Sequence, residues 1–256
     1  MSRYAANLTY LFTELPMPQR FAAARRAGFE GIEILFPYDL TVKELSTCAR
    51  DAGLEFILMS TPPPNWAGGP RGFAAEPGNE ARFRKDFDRA LMFAQGLHAR
   101  HIHVMAGKAQ GARAHQTLVE NLRWATARAP HASLTIEPVC AADDPEAFLT
   151  CFDQAAGIIA EVAAPNLGLQ FDTYQAHRIH GDIMAVWERH GHLVRHIQIA
   201  GSHDDEPFHD SICTAEFIRA VEASGYRGWV GAEYKPSTAI TSEGLNWMHQ
   251  RPMLGH

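Results

Sequence analysis

Four polar side chains, Glu137, Asp172, Gln198 and Glu233, lie at or near the ends of apolar, strand-like segments of the chain, which read "LTIEP", "LGLQFDT", "VRHIQIAG" and "GWVGAEY". Three carboxylates that meet in a confined space repel one another and lose hydration, a cost offset by protonation, basic partners or a bound cation. An all-oxygen set suits Mg²⁺ or Mn²⁺, whereas zinc more typically collects histidine or cysteine. The set as a whole therefore predicts a magnesium or manganese site, although a salt bridge at a strand end would better explain each carboxylate taken alone.

The two glutamates of this set, Glu137 and Glu233, predict a specific chemistry. A metal that holds a hydroxyl and the adjacent carbonyl oxygen lowers the pKa of the intervening C–H and stabilises an enediolate. One glutamate then removes a proton and the other returns a proton to the neighbouring carbon, which is an aldose-ketose type 1,2-isomerisation. The same groups also permit epimerisation of a sugar or dehydration of a keto-polyol, and these alternatives stay open.

Alternation along the predicted strands aims the four side chains at one volume. Successive side chains of a strand point to opposite faces, and in a barrel one face meets the helices and the other meets the axis. In "LGLQFDT", Leu169 and Phe171 belong to the helix-facing set, so Asp172 points inward at the end of the strand. The same alternation predicts that Glu137, Gln198 and Glu233 also point inward, each from a different strand.

Eight such strand candidates alternate with amphipathic helical segments along 256 residues. This pattern favours a single (β/α)₈ TIM barrel over an open sheet, and no GxGxxG motif follows any strand. Helices are predicted in "MPQRFAAARRAG", "TVKELSTCARDAG", "EARFRKDFDRALMFAQGL" and "TAEFIRAVEASG", three of which end on a glycine. The strands are predicted at 4–8, 31–36, 54–60, 101–107, 134–138, 167–173, 194–201 and 228–234.

One connection, residues 61–80, is much longer than the usual loop of about 4–6 residues. Its prolines limit backbone freedom and its glycines permit close approach, so we expect a lid that carries Trp66 and Arg71 over the barrel mouth. A solvated surface excursion is the alternative.

Composition excludes several classes of protein. The chain is 46% hydrophobic and 20% charged with a formal charge of −6, which is typical of one globular domain and gives no basic segment for nucleic acid. No apolar run long enough for a membrane helix occurs, and the first residues do not resemble a signal peptide, so we expect a cytoplasmic protein that acts on a small molecule. The four dispersed cysteines are typical of reduced thiols.

Several blocks, taken in order, resemble the hydroxypyruvate isomerase family of xylose isomerase-like barrels: "AANLTYLFTELP", "RFAAARRAGFEGIEILFPYD", "RGFAAEPG", "HVMAG", "IEP", "QFDT", "HIQIAG" and "GYRGWVGAEYKP". The similarity spans residues 5 to about 248. It implies that Glu137, Asp172, Gln198 and Glu233 match the family's metal positions, and that Glu137 and Glu233 match its catalytic acid/base pair.

The substrate-contacting positions depart from this family. Gln175 occupies the place of its histidine after "QFDT", and Cys140 replaces its asparagine after "EP". "SHDDEP" also lacks the arginine expected after "HIQIAG". Because an arginine fork suits a carboxylate, we expect hydroxypyruvate to be a poor substrate and a neutral or longer ketone to be preferred.

Three other side chains are candidates to contact substrate: Arg71 on the predicted lid, His177 two residues after Gln175, and His103, which faces inward by the same alternation. A satisfied interior histidine is the alternative for His103. Two further functions differ in class: a sugar-binding barrel without turnover, and an endonuclease for abasic DNA. The endonuclease would require a histidine-rich zinc site and a basic groove, neither of which the sequence displays.

Overall fold

Eight short parallel strands pair in chain order, and the last pairs with the first, so that they close a barrel. The computed structural model describes residues 2–62, 72–208 and 213–249. The strands are β1 (Arg3–Asn7), β2 (Gly31–Glu33), β3 (Glu55–Ser60), β4 (His101–His103), β5 (Ser133–Ile136), β6 (Leu167–Asp172), β7 (Val194–Ile199) and β8 (Trp229–Ala232). The predicted (β/α)₈ TIM barrel is confirmed, and each strand overlaps one of the eight predicted segments.

Helices follow the strands and cover the outside of the barrel. They are α1 (Met17–Arg26), α2 (Val42–Ala52), α3 (Glu80–Leu97), α4 (Gly111–Arg128), α5 (Phe152–Val162), α6 (Thr173–His180), α7 (Ile183–His190) and α8 (Thr214–Ala223), with 3-10 turns at Gly191–Leu193 and Thr241–His249. A capping box begins α2, where the Thr41 hydroxyl accepts from the amide of Glu44 at 3.2 Å. None of the helices in the described ranges is both long and apolar enough to cross a membrane.

Large side chains fill the layer between the sheet and the helices. Phe171 of β6 stacks on Phe217 of α8 with ring centroids 5.1 Å apart and meets Trp187 of α7 edge-on at 5.7 Å. Leu169 and Phe171 are fully buried in this layer. The predicted alternation of β6 is therefore correct.

The inside of the barrel changes character along its axis. At the amino-terminal ends of the strands, Ala5, Ile57 and Trp229 form a small apolar cluster that closes the base. Nearer the carboxyl ends the interior is polar, and Glu33 and Gln198 are completely buried there. Buried polar groups require hydrogen-bond partners, so this polar layer determines how the candidate site is built.

Two strands, β2 and β4, end three or more residues earlier than predicted. β4 stops at His103, and residues 104–107 pack against the returning end of the long connection instead of extending the sheet. A Cβ at Gly72 would lie 2.2 Å from the Met105 carbonyl oxygen, and both Gly72 and Gly107 have positive φ angles, of 84° and 85°. Only glycine permits so close an approach of two backbones. β2 likewise stops at Glu33 rather than residue 36.

Candidate active site

A cavity of about 680 Å³ opens at the carboxyl ends of the strands. Its described lining is strongly acidic and includes six carboxylates: Glu137, Asp143, Asp144, Asp172, Asp204 and Glu233. Active sites of TIM barrels lie at this end. Three of the four predicted cation ligands therefore border one cavity, and the fourth, Gln198, lies fully buried beside them.

Glu233 follows β8 and is held by two amides. The Asn7 Nδ2 donates to Glu233 Oε2 at 2.6 Å, and the Gln198 Nε2 donates to the same oxygen. Burial, followed by the charges of Glu137 and Glu33, raises the pKa of Glu233 well above its usual range. A raised pKa means that the charged form of this carboxyl group is costly in the protein alone.

Glu137 follows β5 and is joined to Glu233 through a chain of amides. Gln170 Nε2 donates to Glu137 Oε2 at 2.8 Å and to Gln198 Oε1 at 2.7 Å. Thr135 Oγ1 orients this amide by donating to Gln170 Oε1 at 3.1 Å. The two glutamates thus approach the cavity from different strands, while one hydrogen-bonded interior layer fixes both.

Asp172 ends β6 and also begins α6. Its Oδ1 accepts from the Gln175 amide at 2.8 Å as an N-cap. Burial raises the pKa of Asp172 to about 7, the charges of Asp204 and Glu33 act in the same direction, and the Gln175 hydrogen bond opposes them. The carboxylate is therefore costly to ionise in the protein alone.

The oxygen donors of the site fit a hard divalent cation, but they do not lie close enough together to coordinate one ion. Among the described residues, no three His, Cys, Asp or Glu side chains stand close enough together to hold a metal ion. Glu137, Asp172 and Glu233 nevertheless border one cavity, and the repulsion that raises the pKa of Glu233 is what a cation relieves. Gln198 presents its NH₂ to the Glu233 carboxylate, so it would turn its amide oxygen toward a metal only by exchanging the two ends of that amide.

The predicted substrate contacts have different locations. His103 lines the cavity, and its Nε2 lies 3.8 Å from Glu137 Oε2. His177 lies near the end of α6, where its Nδ1 is 3.1 Å from the Gly181 carbonyl oxygen, and it is not among the described residues that line the cavity. Arg71 and Trp66 fall outside the described residues.

The two substituted family positions contact each other. The Gln175 side-chain oxygen accepts from the Cys140 amide at 2.7 Å, and Gln175 borders the cavity. The loop after β5 is thereby tied to the first turn of α6. The two departures from the family pattern are thus joined by one hydrogen bond, and Gln175 brings this pair to the edge of the cavity.

Sequence reasoning overlooked Glu33 and Asn7. Glu33 is fully buried, accepts from Gln198 Nε2 at 2.8 Å, and lies 2.7 Å from His196 Nε2. Asn7 Nδ2 also approaches Glu33 Oε2 at 3.4 Å. The alternation of inward and outward side chains, which located the other carboxylates, was applied only to β4 and the later strands. Asn7 in β1 and Glu33 in β2 were therefore not predicted.

Two lysines bring positive charge to the cavity mouth, and sequence reasoning overlooked them as well. Lys235 Nζ lies 2.6 Å from Asp204 Oδ2, and Lys108 Nζ lies 3.0 Å from Glu146 Oε2. Both lysines border the cavity, whereas no arginine does so within the described lining. Each of these two lysines is therefore already paired with a carboxylate.

The closed barrel and its carboxylate-lined mouth define a class of protein. A family model described as "Xylose isomerase-like TIM barrel" matches residues 21–251, and the chain belongs to this family.

Two relatives with named activities match all or nearly all of the chain. The chain is 40% identical to a 2-oxo-tetronate isomerase of Cupriavidus necator over all of both chains. It is 37% identical to a hydroxypyruvate isomerase of Escherichia coli, over 97% of this chain and 98% of the relative. The predictions of a xylose isomerase-like barrel and of a hydroxypyruvate isomerase-like enzyme are both confirmed.

Solved structures agree on the fold. A protein described as an AP endonuclease, family 2, from Brucella melitensis superposes with a TM-score of 0.94 at 36% identity, covering 98% of this chain and 99% of that one. A 3-keto-D-glucoside 4-epimerase from E. coli superposes with a TM-score of 0.80 at 15% identity, covering 98% of this chain and 100% of that one. The second likeness shows the fold alone.

Proposed function

We propose that the protein is a divalent-metal-dependent isomerase of a small 2-oxo acid, with a four-carbon acid of the 2-oxo-tetronate type preferred over hydroxypyruvate. The observation that carries this proposal is the amide chain of Gln170 and Gln198, which joins Glu137 to Glu233 below one cavity. The relatives named as 2-oxo-tetronate and hydroxypyruvate isomerases support the reaction class.

Within this proposal, the two glutamates move the protons. On a 2-oxo acid with a hydroxyl on C3, Glu137 takes the proton from C3 and Glu233 delivers a proton to C2. The hydroxyl proton passes from O3 to O2, so the carbonyl moves from C2 to C3 without an external oxidant or reductant. The Asn7 and Gln198 amides hold the Glu233 carboxyl group in position for its role as the acid in this direction.

Glu137, Asp172, Gln198 and Glu233 are the residues that would hold Mg²⁺ or Mn²⁺. The ion would stabilise the negative charge that develops on the two substrate oxygens. Asn7 and Gln170 would keep the glutamate carboxylates oriented throughout.

The residues that line the cavity, together with its size, support the preference for a longer acid. The described lining offers lysines instead of an arginine fork, and a cavity of about 680 Å³ exceeds the needs of a three-carbon acid. The Cys140–Gln175 contact replaces the polar pair expected for the family. An endonuclease role receives no support here, because six carboxylates at the mouth would repel a phosphate backbone.

The experiment follows the reaction by ¹H NMR in D₂O, first with protein as purified, then after exhaustive chelation, then after return of Mn²⁺ or Mg²⁺. We expect a 3-oxo product that carries deuterium on C2, loss of turnover on chelation, and recovery with either ion. A retained 2-oxo group with inverted C3 would indicate an epimerase, and loss of water a dehydratase. Full turnover in protein with no bound divalent ion would contradict the metal requirement.

Substrate choice is tested by comparing kcat/KM for 2-oxo-tetronate, hydroxypyruvate and a neutral four-carbon ketose. We expect 2-oxo-tetronate to give the highest value. Hydroxypyruvate as the best substrate would overturn the preference, and absence of turnover on the whole panel would favour the sugar-binding alternative.

A further inference from the structure

A second cavity, of about 810 Å³, lies at the opposite end of the barrel. We call it the basal pocket. Residues that begin strands border it, among them Arg3 of β1, His101 of β4 and Trp229 of β8. The apolar cluster that contains Trp229 separates it from the candidate active site.

The basal pocket is strongly basic in a protein whose formal charge is −6. Its described lining contains five arginines and a single acidic residue, Glu55, which leaves an excess of four positive charges. Three histidines, His98, His101 and His131, also border it. The arginines are Arg3, Arg50, Arg100, Arg195 and Arg227.

The carboxylates near the pocket compensate this charge only in part. Glu55 is shared between Arg3, at 3.4 Å, and Arg100. Arg50 pairs with Asp51 at 3.2 Å. Arg195 and Arg227 form no ion pair within the described part of the chain; Arg227 donates to the Tyr226 carbonyl at 3.0 Å and Arg195 to the Pro165 carbonyl. Each guanidinium has five donor hydrogens, so most of theirs remain available.

Local structure places two of these arginines rather than leaving them loose on the surface. The pairing of β6 with β7 shifts by one residue, so that Leu169 faces Val194 and Gln170 faces His196, and Arg195 lies between them as the extra residue. Its stem crosses Gly168, where a Cβ would lie 2.5 Å from Arg195 Cγ. The Arg3 guanidinium lies over the Trp229 ring, 4.2 Å from its centroid.

We propose that the basal pocket binds a small polyanion, a molecule that carries at least two phosphate or carboxylate groups. Guanidinium groups match both anions through paired hydrogen bonds, and several of them around one cavity favour a multivalent ligand over a single charge. The volume, about 810 Å³, is in the range of small-molecule sites. This site is independent of the proposed isomerase activity, because the two cavities share no lining residue among those that the structure describes.

Isothermal titration of the full-length protein at low salt tests the proposal with two probes. Inorganic pyrophosphate represents a phosphate source and propane-1,2,3-tricarboxylate a carboxylate source, with orthophosphate and acetate as monovalent comparators. We expect saturable binding of at least one polyanion, weakening as salt rises, and the stronger probe identifies the source.

Variants assign the binding to the pocket. Arg195→Gln and Arg227→Gln should each weaken polyanion binding roughly tenfold, the loss expected for one charge-assisted contact. Arg219→Gln, an exposed arginine of α8 outside the pocket, removes the same charge and should leave binding unchanged. Arg227 is exposed, so its variant tests the site even if Arg195→Gln fails to fold. Equal affinities in all three variants, or no saturable binding of either polyanion, would overturn the proposal.

Discussion

The two ends of this barrel carry opposite charge although the same eight strands supply both. Within the described part of the chain, six carboxylates border the mouth and five arginines border the basal pocket. The mouth carboxylates rest on buried amides such as Gln198. The basal arginines lie at or next to strand starts, apart from Arg50 in α2, and are partly or fully exposed. The mouth therefore concentrates charge where it is poorly hydrated, and the base keeps its charge near water.

This difference has a consequence for how each end responds to change. A buried carboxylate tied to neighbours transmits a small displacement to the whole network, because interior groups have few alternative positions. An exposed arginine turns into solvent at little cost. Substitutions at the mouth should therefore affect chemistry strongly, and substitutions at the base should affect mainly binding and stability.

The largest expected effect lies at the mouth. Glu137→Gln and Glu233→Gln should each lower kcat about 10²–10⁴-fold, since an amide neither accepts nor delivers the proton. The free energy of unfolding should change little, because glutamine keeps the shape and one hydrogen-bonding oxygen. Steady-state kinetics with metal content measured on the same samples checks this.

The matched control is Glu188→Gln on the exposed side of α7, which removes the same charge away from both ends. It should retain full activity. Near wild-type kcat in Glu137→Gln or Glu233→Gln with metal bound would show that the residue concerned is not part of the acid/base pair.

Periodicity made the fold predictable, because each strand had to bury one face against helices. β6 is the clearest case: the spacing of Leu169 and Phe171 determined the direction of Asp172 before any contact was known. Strand ends were less predictable. β4 ends at His103 because the backbones at Gly72 and Gly107 meet there, and such a long-range contact leaves no periodic signal.

The candidate site was predictable in its carboxylates and less so in its surroundings. Alternation locates a side chain on a face, but it does not show that Cys140 and Gln175 would contact each other or that Lys235 would pair with Asp204. Those contacts depend on loops between strands. His177, proposed as a substrate contact from its proximity in sequence, lies instead against Gly181, because helix geometry separates residues two positions apart.

The second prediction compares one glycine at each level of the barrel. A Cβ at Gly231 would lie 1.9 Å from the buried Glu33 Oε1, whereas a Cβ at Gly168 would meet the Arg195 stem at 2.5 Å. Gly231→Ala should cost stability at the upper end of the roughly 1–3 kcal/mol range for overpacking and should also lower kcat, because Glu33 orients Gln198. Gly168→Ala should cost less and leave kcat unchanged, because Arg195 has room to move toward solvent.

Urea unfolding and kcat measured on both alanine variants check this comparison. Equal losses of stability, or an unaltered kcat in a destabilised Gly231→Ala variant, would contradict the view that the polar layer under the mouth transmits displacement.

The third prediction concerns positive charge at the mouth. If the substrate carboxylate rests near Lys235 or Lys108, replacement of that lysine by glutamine should lower kcat/KM for a 2-oxo acid about tenfold and leave a neutral ketose unaffected, because one charge-assisted hydrogen bond is lost. Lys43→Gln on α2 provides the control. Equal losses on acid and ketose would indicate a structural role for the lysine.

The smallest expected effect separates the two ends by pH. His101 borders the basal pocket, and burial, together with the nearby His196, Arg195 and Arg100, lowers its pKa well below the usual value. Below about pH 6.5, His101 is therefore protonated in the unfolded chain but not in the folded protein. The free energy of unfolding then falls by at most about 1.4 kcal/mol for each unit by which the pH is lowered. At the mouth the sign is opposite: the pKa of Asp172 is raised to about 7, so protonation as pH falls favours the folded state.

His101→Gln should consequently remove the basal part of the slope, so that its free energy of unfolding, measured in urea from pH 6.5 to 5.5, falls less than that of the wild type. The exposed His192→Gln serves as control and should follow the wild type. If the free energies of unfolding of wild type and His101→Gln changed in parallel with pH, protonation of His101 in the folded protein would carry no cost. The contrast in hydration between the two ends would then be supported only by the groups at the mouth.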